Sequence, residues 1–381
     1  MSRIKFGDVV KDVKINIDRL NNPYEFYVAG DHMDSEDLTT HRKGRFATDD
    51  VGPAFIRVFK PGQILYGSRR TYLKKIAVAD FEGICANTTF VLETKDPLVL
   101  EQRLLPFIML SKDFTTWSIA KSKGSTNPYV LFSDLADFEF ELPPLEEQKV
   151  LADKLWAAYR LKEAYKKLLV ATDEMLKSQF IEMFGNPLSL NQKNELKRLG
   201  ECCILNPRRP NIALCDTDKV SFIPMPAVSE DGYLVDMTDE EYGKVKKGFT
   251  YFENNDVLFA KITPCMENGK GAIVHGLTNG IGMGSTEFHV LRPINGISSP
   301  YWLLALTRMP IFRECAAKNM SGTGGQKRVS ASYLDHFMVG LPAIEEQRRF
   351  EAIYRQADKS KFELRKSIDA IDKVIKSLIN N

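Results

Sequence analysis

The sequence predicts an α+β fold built twice in tandem. Two similar domains are each followed by a long helix, and the two helices pair as an antiparallel coiled coil of pseudo-twofold symmetry. Three observations predict it. The string Leu142-Pro143-Pro144-Leu145-Glu146-Glu147-Gln148 returns 199 residues later as Leu341-Pro342-Ala343-Ile344-Glu345-Glu346-Gln347. Each copy opens a long stretch with an apolar period of seven. The strand and loop strings ahead of the first copy reappear ahead of the second.

The helices come first. After Pro144 no glycine or proline occurs until Gly185, which predicts about 38 helical residues, roughly 57 Å at 1.5 Å per residue. Pro143 and Pro144 stop the preceding strand. Glu146 and Glu147 fall in the first turn, where the helix dipole favours anions. The seam runs Leu151, Leu155, Ala158, Lys162, Tyr165, Leu169, Thr172, Leu176, Gln179 and Met183. In the second helix it runs Phe350, Tyr354, Ala357, Lys361, Leu364, Ile368, Ile371, Ile375 and Leu378. The polar interruptions Lys162 and Lys361 are again 199 residues apart. A buried polar seam position fixes register; the alternative is a lysine that buries its stem and extends its ammonium to water.

The repeat extends backwards. "PGQILYGSRR" (61–70) answers to "NNDVLFAKIT" (254–263), each a short apolar strand running into a basic loop. "NTTFVL" (87–92) answers to "STEFHV" (285–290), and "KGSTNPYVLFSDLADFEFELPP" (123–144) to "GTGGQKRVSASYLDHFMVGLPA" (322–343). The expected layout is a domain over 1–142, a helical spacer over 143–186, a second domain over 187–341 and a second helical spacer over 342–381, with a Gly185-Asn186-Pro187 link. Helical pieces from Pro97 to Ser111 and from Pro300 to Met320 among short strands make each domain α+β.

Composition narrows the class. With 44% hydrophobic and 27% charged residues, folded domains with full cores are expected. No apolar run approaches the roughly 18 residues of a membrane span, and the start lacks a signal-type apolar stretch, so a cytoplasmic protein without membrane attachment is expected. The six cysteines form no CxxC pair and have no zinc-finger spacing, so they read as buried free thiols. A formal net charge of +2 neither demands nor excludes nucleic acid; a strongly acidic balance would have argued against it.

The two Leu-Pro-x-x-Glu-Glu-Gln strings with their helices, the strand "DVLFAKI" (256–262) and the stretch "GTGGQKRVS" (322–330) resemble the DNA specificity subunit of a type I restriction–modification system. The resemblance runs over essentially the whole chain. It implies a non-catalytic subunit whose two target-recognition domains each read one half of a split site in double-stranded DNA. It also implies that the helices set the spacing and dock two modification subunits, joined in the full complex by two restriction subunits. S-adenosylmethionine, ATP and Mg²⁺ would serve those partners, and this chain would hold no cofactor.

Base reading needs donors and acceptors on protruding loops, and phosphate contacts need Lys, Arg and backbone N–H groups. In the first domain the stretch 67–75 offers Ser68, Arg69, Arg70, Tyr72, Lys74 and Lys75, and the stretch 121–127 offers Lys121, Lys123, Ser125 and Asn127. The counterparts in the second domain are Lys261, Thr263, Asn268 and Lys270 in 261–270, and Thr323, Gln326, Lys327 and Arg328 in 321–328. Gly322, Gly324 and Gly325 in the last loop allow close backbone approach to a phosphate. Arg42, Lys43 and Arg45 form a weaker basic cluster. The alternative for every one of these loops is a solvated basic surface.

No catalytic residue or metal ligand is assigned. Asp80 with Glu93-Thr94-Lys95 loosely fits a metal-dependent nuclease, but the second repeat, aligned at an offset of 198, carries Leu291-Arg292-Pro293 there. Asn127-Pro128-Tyr129 approximates an adenine methyltransferase motif with one proline missing, and no phosphate-cradling glycine loop is present. A coiled-coil adaptor that binds no DNA is the non-enzyme alternative.

Overall fold

The computed structural model describes residues 2–19, 21–186, 194–323 and 325–380. Pro187 of the expected link and Gly324 of the last candidate loop lie outside the described residues. By contact the chain divides into one unit of residues 1–165 with 366–381 and a second of residues 166–365. This division differs from the linear one because each unit takes in part of both long helices.

Both units are built on the same plan. In the first, strand Ser2–Lys5 pairs antiparallel with Glu139–Leu142, so the domain closes where the long helix begins. One four-stranded antiparallel sheet has the order Val10–Asp12, Thr89–Thr94, Ile64–Gly67, Ile76–Val78. The other has the order Gly44–Arg45, Phe26–Val28, Gly83–Ala86, Phe55–Phe59, with its middle pair parallel. In the second unit Glu195–Arg198 pairs with Met338–Leu341. Its sheets run Cys203–Leu205, Phe288–Pro293, Val257–Ala260, Gly271–Ile273, and Thr238–Glu241, Lys219–Ile223, Ile281–Gly284, Thr250–Glu253, again with a parallel middle pair.

The unbroken apolar runs are explained by burial on both faces. Ile64 and Tyr66 face the helical side of the core, while Leu65 packs with Val28, Phe59, Cys85 and Val91. Val257 and Phe259 divide from Leu258 in the same way. Pairing also corrects the repeat by one residue. Ile64 lies opposite Leu92 and Val257 opposite Leu291, so Phe90 corresponds to His289 and Glu93 to Arg292. The shared Phe in "NTTFVL" and "STEFHV" had drawn the alignment off register.

The helical pieces also differ from expectation. Helix in the first unit covers Leu105–Leu110 and Lys112–Ala120, with a break at extended Ser111, whose side chain caps Phe114 N. The second unit has Pro300–Arg308 and Pro310–Lys318, broken at Met309 because the following proline disfavours the helical region.

The long helices span Leu145–Phe184 and Ile344–Asn380, and positive-φ Gly185 ends the first. They run antiparallel in each unit. Ala152, Leu155 and Tyr159 share a core with Ile375, flanked by Leu151, Ile371 and Leu378. Leu176, Phe180 and Phe184 share one with Phe350, Tyr354 and Ala357, with Phe350 centred 5.5 Å from Phe180 and 5.4 Å from Phe184. Tyr165, Leu169, Leu364 and Ile368 are half-buried. The seam omitted Ala152, Tyr159, Phe180 and Phe184 because each helix packs on its domain as well as on the other helix, which widens the apolar stripe.

The seam lysines are ion-paired. Lys162 Nζ lies 2.6 Å from Asp372 Oδ1, and Lys361 Nζ lies 3.0 Å from Asp173 Oδ1 and 3.4 Å from Asp358 Oδ1. Both members of the pair repeat at the 199-residue offset. Lys361 is 1% exposed, so the register-fixing reading holds there over the solvent-reaching one.

The repeated glutamine has a role of its own. Gln148 donates to Val99 O and Pro143 O and accepts from Glu101 N at 3.0, 2.8 and 2.9 Å. Gln347 donates to Ile297 O and Pro342 O and accepts from Ser299 N at 2.9, 2.9 and 2.8 Å. Each buried amide clamps the start of a helix to a loop of its own domain, a function the two glutamates do not share.

All six cysteines are unpaired; Cys85, Cys202 and Cys203 are buried, but Cys215 is exposed and Cys265 and Cys315 are half-buried, against the expectation of uniform burial. Among the described residues no helix is long and apolar enough to cross a membrane.

Candidate nucleic-acid interface

In the first unit the two candidate loops form one face. Arg70 N donates to Pro128 O at 2.6 Å, Val130 N to Ser68 O at 2.9 Å and Ser68 N to Thr88 O at 3.0 Å. Thr71 Oγ1 meets Ser122 Oγ at 2.8 Å. In the second unit Thr263 N donates to Lys327 O at 3.0 Å, Val329 N to Lys261 O at 3.0 Å and Lys261 N to Glu287 O at 2.9 Å. The frame is the same bond for bond. It makes Ser68 equivalent to Lys261, Arg70 to Thr263, Thr88 to Glu287, Pro128 to Lys327 and Tyr129 to Arg328.

The side chains divide into exposed and engaged groups. Arg69, Arg70, Tyr72, Lys121, Lys123, Ser125 and Asn127 are exposed on the first face. Lys121 lies over the Trp117 ring, and Lys123 pairs with Asp134 at 2.9 Å, which lowers the pKa of that carboxyl through the hydrogen bond. Ser68 leaves the candidate set: it is 6% exposed, and its hydroxyl donates to Thr88 O at 2.5 Å. Lys74 pairs with Glu36 at 2.6 Å and Lys75 donates to Gly30 O, so both act first as loop fasteners.

On the second face Thr323, Gln326 and Lys327 are exposed, and Lys261 and Thr263 are half-buried. Thr263 Oγ1 donates to Gly325 O at 2.6 Å and accepts from Lys327 N at 3.1 Å, holding the glycine loop. Asn268 donates to Glu230 at 2.9 Å and Lys270 reaches Met225 O at 3.5 Å, so these two brace a neighbouring turn. Arg328 makes a two-point ion pair with Glu287, Nη2–Oε1 2.7 Å and Nε–Oε2 2.9 Å, and this bonding holds the Glu287 carboxyl below its usual pKa. Behind the loop His289 lies 2.9 Å from Val329 O; burial lowers its pKa and favours the neutral ring. The weaker cluster is also engaged: Arg42 with Asp34, Arg45 with Glu25, and Lys43 over Phe26.

Not foreseen from the sequence were Glu287 and the latch of buried Asp37, half-buried Glu163 and exposed His41, whose polar atoms converge within 4.8 Å. Tyr159 OH donates to Asp37 Oδ1 at 2.5 Å and accepts from Leu38 N at 2.8 Å, so this cluster fastens a loop to the first long helix. Only the pairing of loop and helix brings these residues together, and no sequence spacing signals it. The loose nuclease pattern is dispersed: Glu93 bonds Gln63 and Lys11, Lys95 donates to Gly7 O, and Asp80 is exposed.

A duplicated α+β unit with one loop face per copy, the faces alike in backbone and unlike in side chains, defines a tandem-repeat protein with two equivalent but chemically distinct surfaces. A family model described as type I restriction modification DNA specificity domain matches residues 56–169 and 191–371, and the chain belongs to that family. It is 38% identical over 170 residues to the type I restriction enzyme EcoAI specificity subunit of Escherichia coli, covering 43% of this chain and 29% of that protein. It is 34% identical over 200 residues to the EcoEI specificity subunit of Escherichia coli, covering 51% and 33%. The matched stretches thus span a third or less of these relatives.

Among solved structures, the type I restriction-modification system S subunit from M. genitalium aligns over 99% of this chain and 94% of that one, with TM-score 0.55 and 15% identity. A chain from a study of complex assembly and conformational transition of the type I R-M system aligns over 99% and 96%, with TM-score 0.51 and 18% identity. Both likenesses are of fold.

Proposed function

We propose that this chain is a non-catalytic, sequence-specific subunit that reads a bipartite site in double-stranded DNA, one loop face per half. It directs the modification and restriction subunits of a type I restriction–modification complex to that site. The observation that carries this reading is the twice-built face: one backbone frame carries Arg69, Arg70 and Asn127 in one copy and Gln326, Lys327 and Arg328 in the other. A repeated frame with different side chains suits two unlike half-sites.

Two modification subunits and two restriction subunits are the proposed partners. S-adenosylmethionine, ATP and Mg²⁺ are proposed to act there, and the chain to work in the cytoplasm. Leu161, Leu168 and Met175, exposed at seven-residue spacing on the first helix, supply apolar surface for a partner helix. Their equivalents on the second helix are Ser360, Ser367 and Val374.

The test is DNA binding by the full chain as a function of salt. Replacing Arg69 and Arg70 together with Ala should weaken binding and lower the salt slope by about one or two, as expected if both contact phosphates. Absence of DNA binding by the chain, both alone and with its partner subunits, would favour the adaptor reading.

A further inference from the structure

We propose that the Glu287–Arg328 ion pair reads one G·C base pair in the half-site of the second unit. This rests on the DNA-reading function proposed above and assigns it a specific contact.

The two loop faces are equivalent in backbone. Glu287 and Arg328 stand where the first unit has Thr88 and Tyr129, on loops closed by the same backbone bonds. The first face closes without any ion pair at these positions. A brace is therefore not what the fold requires there, and the frame tolerates a change of chemistry at this pair.

The geometry then fits a base edge. The side chains of Arg328 and Glu287 are 40% and 27% exposed. Nε and Nη2 bind the carboxylate and Nη1 donates a long 3.4 Å bond to Gln326 O, which leaves one N–H on Nη1 and one on Nη2 to be used. The carboxylate keeps lone pairs beyond those given to the guanidinium. In the major groove guanine offers the acceptors N7 and O6 and cytosine the donor N4–H₂, and arginine and glutamate are their matching partners. An A·T pair would set the guanidinium against the adenine amino donor and leave the carboxylate facing the thymine O4 acceptor. Because Arg328 is already held at two points, little side-chain freedom is lost on binding. Lysine cannot reproduce a forked donor.

The experiment is selection from a randomised duplex library by the full chain, comparing wild type with Glu287→Gln, Arg328→Lys and the double exchange Glu287→Arg/Arg328→Glu. Thermal melting identifies any variant that fails to fold, and the remaining variants are then decisive. Wild type should show one position restricted to G·C in one block. Each single variant should relax that position by about 5- to 150-fold and leave every other position intact. The exchange, which preserves the ion pair, should still lose the G·C preference. Restoration of the wild-type profile by the exchange would make the pair a brace and overturn the proposal, as would unchanged profiles or uniform weakening of a whole block in the single variants. A wild-type chain that enriches no sequence would overturn the DNA-reading function itself, an outcome distinct from an intact bipartite profile that ignores Glu287 and Arg328.

Discussion

The two units agree in their helix clamps, seam ion pairs and loop frames, and differ most in the side chains that their loop faces carry. Gln148 and Gln347 make the same three hydrogen bonds, Lys162 and Lys361 the same cross-helix ion pair, and the loop frames the same backbone bonds. On that shared frame the first unit carries Thr88, Tyr129 and Ser68 where the second carries Glu287, Arg328 and Lys261. The difference teaches that the scaffold fixes where the loops stand, while the loop side chains are free to set what each face recognises.

The comparison is sharpest at the seam lysines. Lys361 is buried and pairs with Asp358 as well as Asp173, whereas Lys162 is 13% exposed and pairs with Asp372, the equivalent of Asp173. Lys361→Ala should destabilise the second unit by about 3–5 kcal/mol, because it empties the space of a fully buried side chain and strands the half-buried carboxylates of Asp173 and Asp358. Lys162→Ala should cost the first unit about 1 kcal/mol. Hydrogen-exchange mass spectrometry resolves the two units, and equal losses would break the distinction drawn from burial.

Next come the clamps, where the account demands equality. Gln148→Leu and Gln347→Leu should each cost about 2–4 kcal/mol, since each strands one N–H and two carbonyls at the start of a long helix. A large effect at one and none at the other, measured by chemical denaturation, would end the claim of a shared frame. Tyr159→Phe should cost about 1–2 kcal/mol in the first unit alone, because the second unit carries Asp358 at the equivalent position and has no such latch.

The smallest expected effect concerns pH. His289 is equivalent to Phe90, and burial lowers its pKa from 6.5. A lowered folded pKa means that the unfolded chain takes up the proton first as pH falls. Stability of the second unit should therefore decline as pH drops through about 6.5 and level off below the folded pKa. The decline should be shallower in His289→Asn. An unchanged pH profile in that variant would remove His289 from the account.

Much of the scaffold was legible because periodicity and repetition are one-dimensional signals. The helices, their antiparallel pairing and Lys361 in the seam all follow from spacing. Tyr159, Phe180 and Phe184 were missed because a helix packing on two neighbours buries a stripe wider than a heptad. The role of Gln148 was hidden behind Glu146 and Glu147, whose charges offered a sufficient reason for the motif. The loop face was legible only in outline. Arg69 and Lys327 are exposed, but the burial of Ser68, the bond from Lys74 to Glu36 and the pairing of Arg328 with Glu287 depend on contacts between segments distant in sequence.

The central claim is that each unit grips its own half of one DNA site. Ethylation-interference mapping of the full chain on a selected duplex tests it most directly. The account predicts two separate clusters of essential phosphates, one lost when Arg69 and Arg70 are both replaced by Ala and the other lost when Lys261 and Lys327 are both replaced by Ala. A single continuous cluster, or the loss of both clusters from either pair of substitutions, would contradict it.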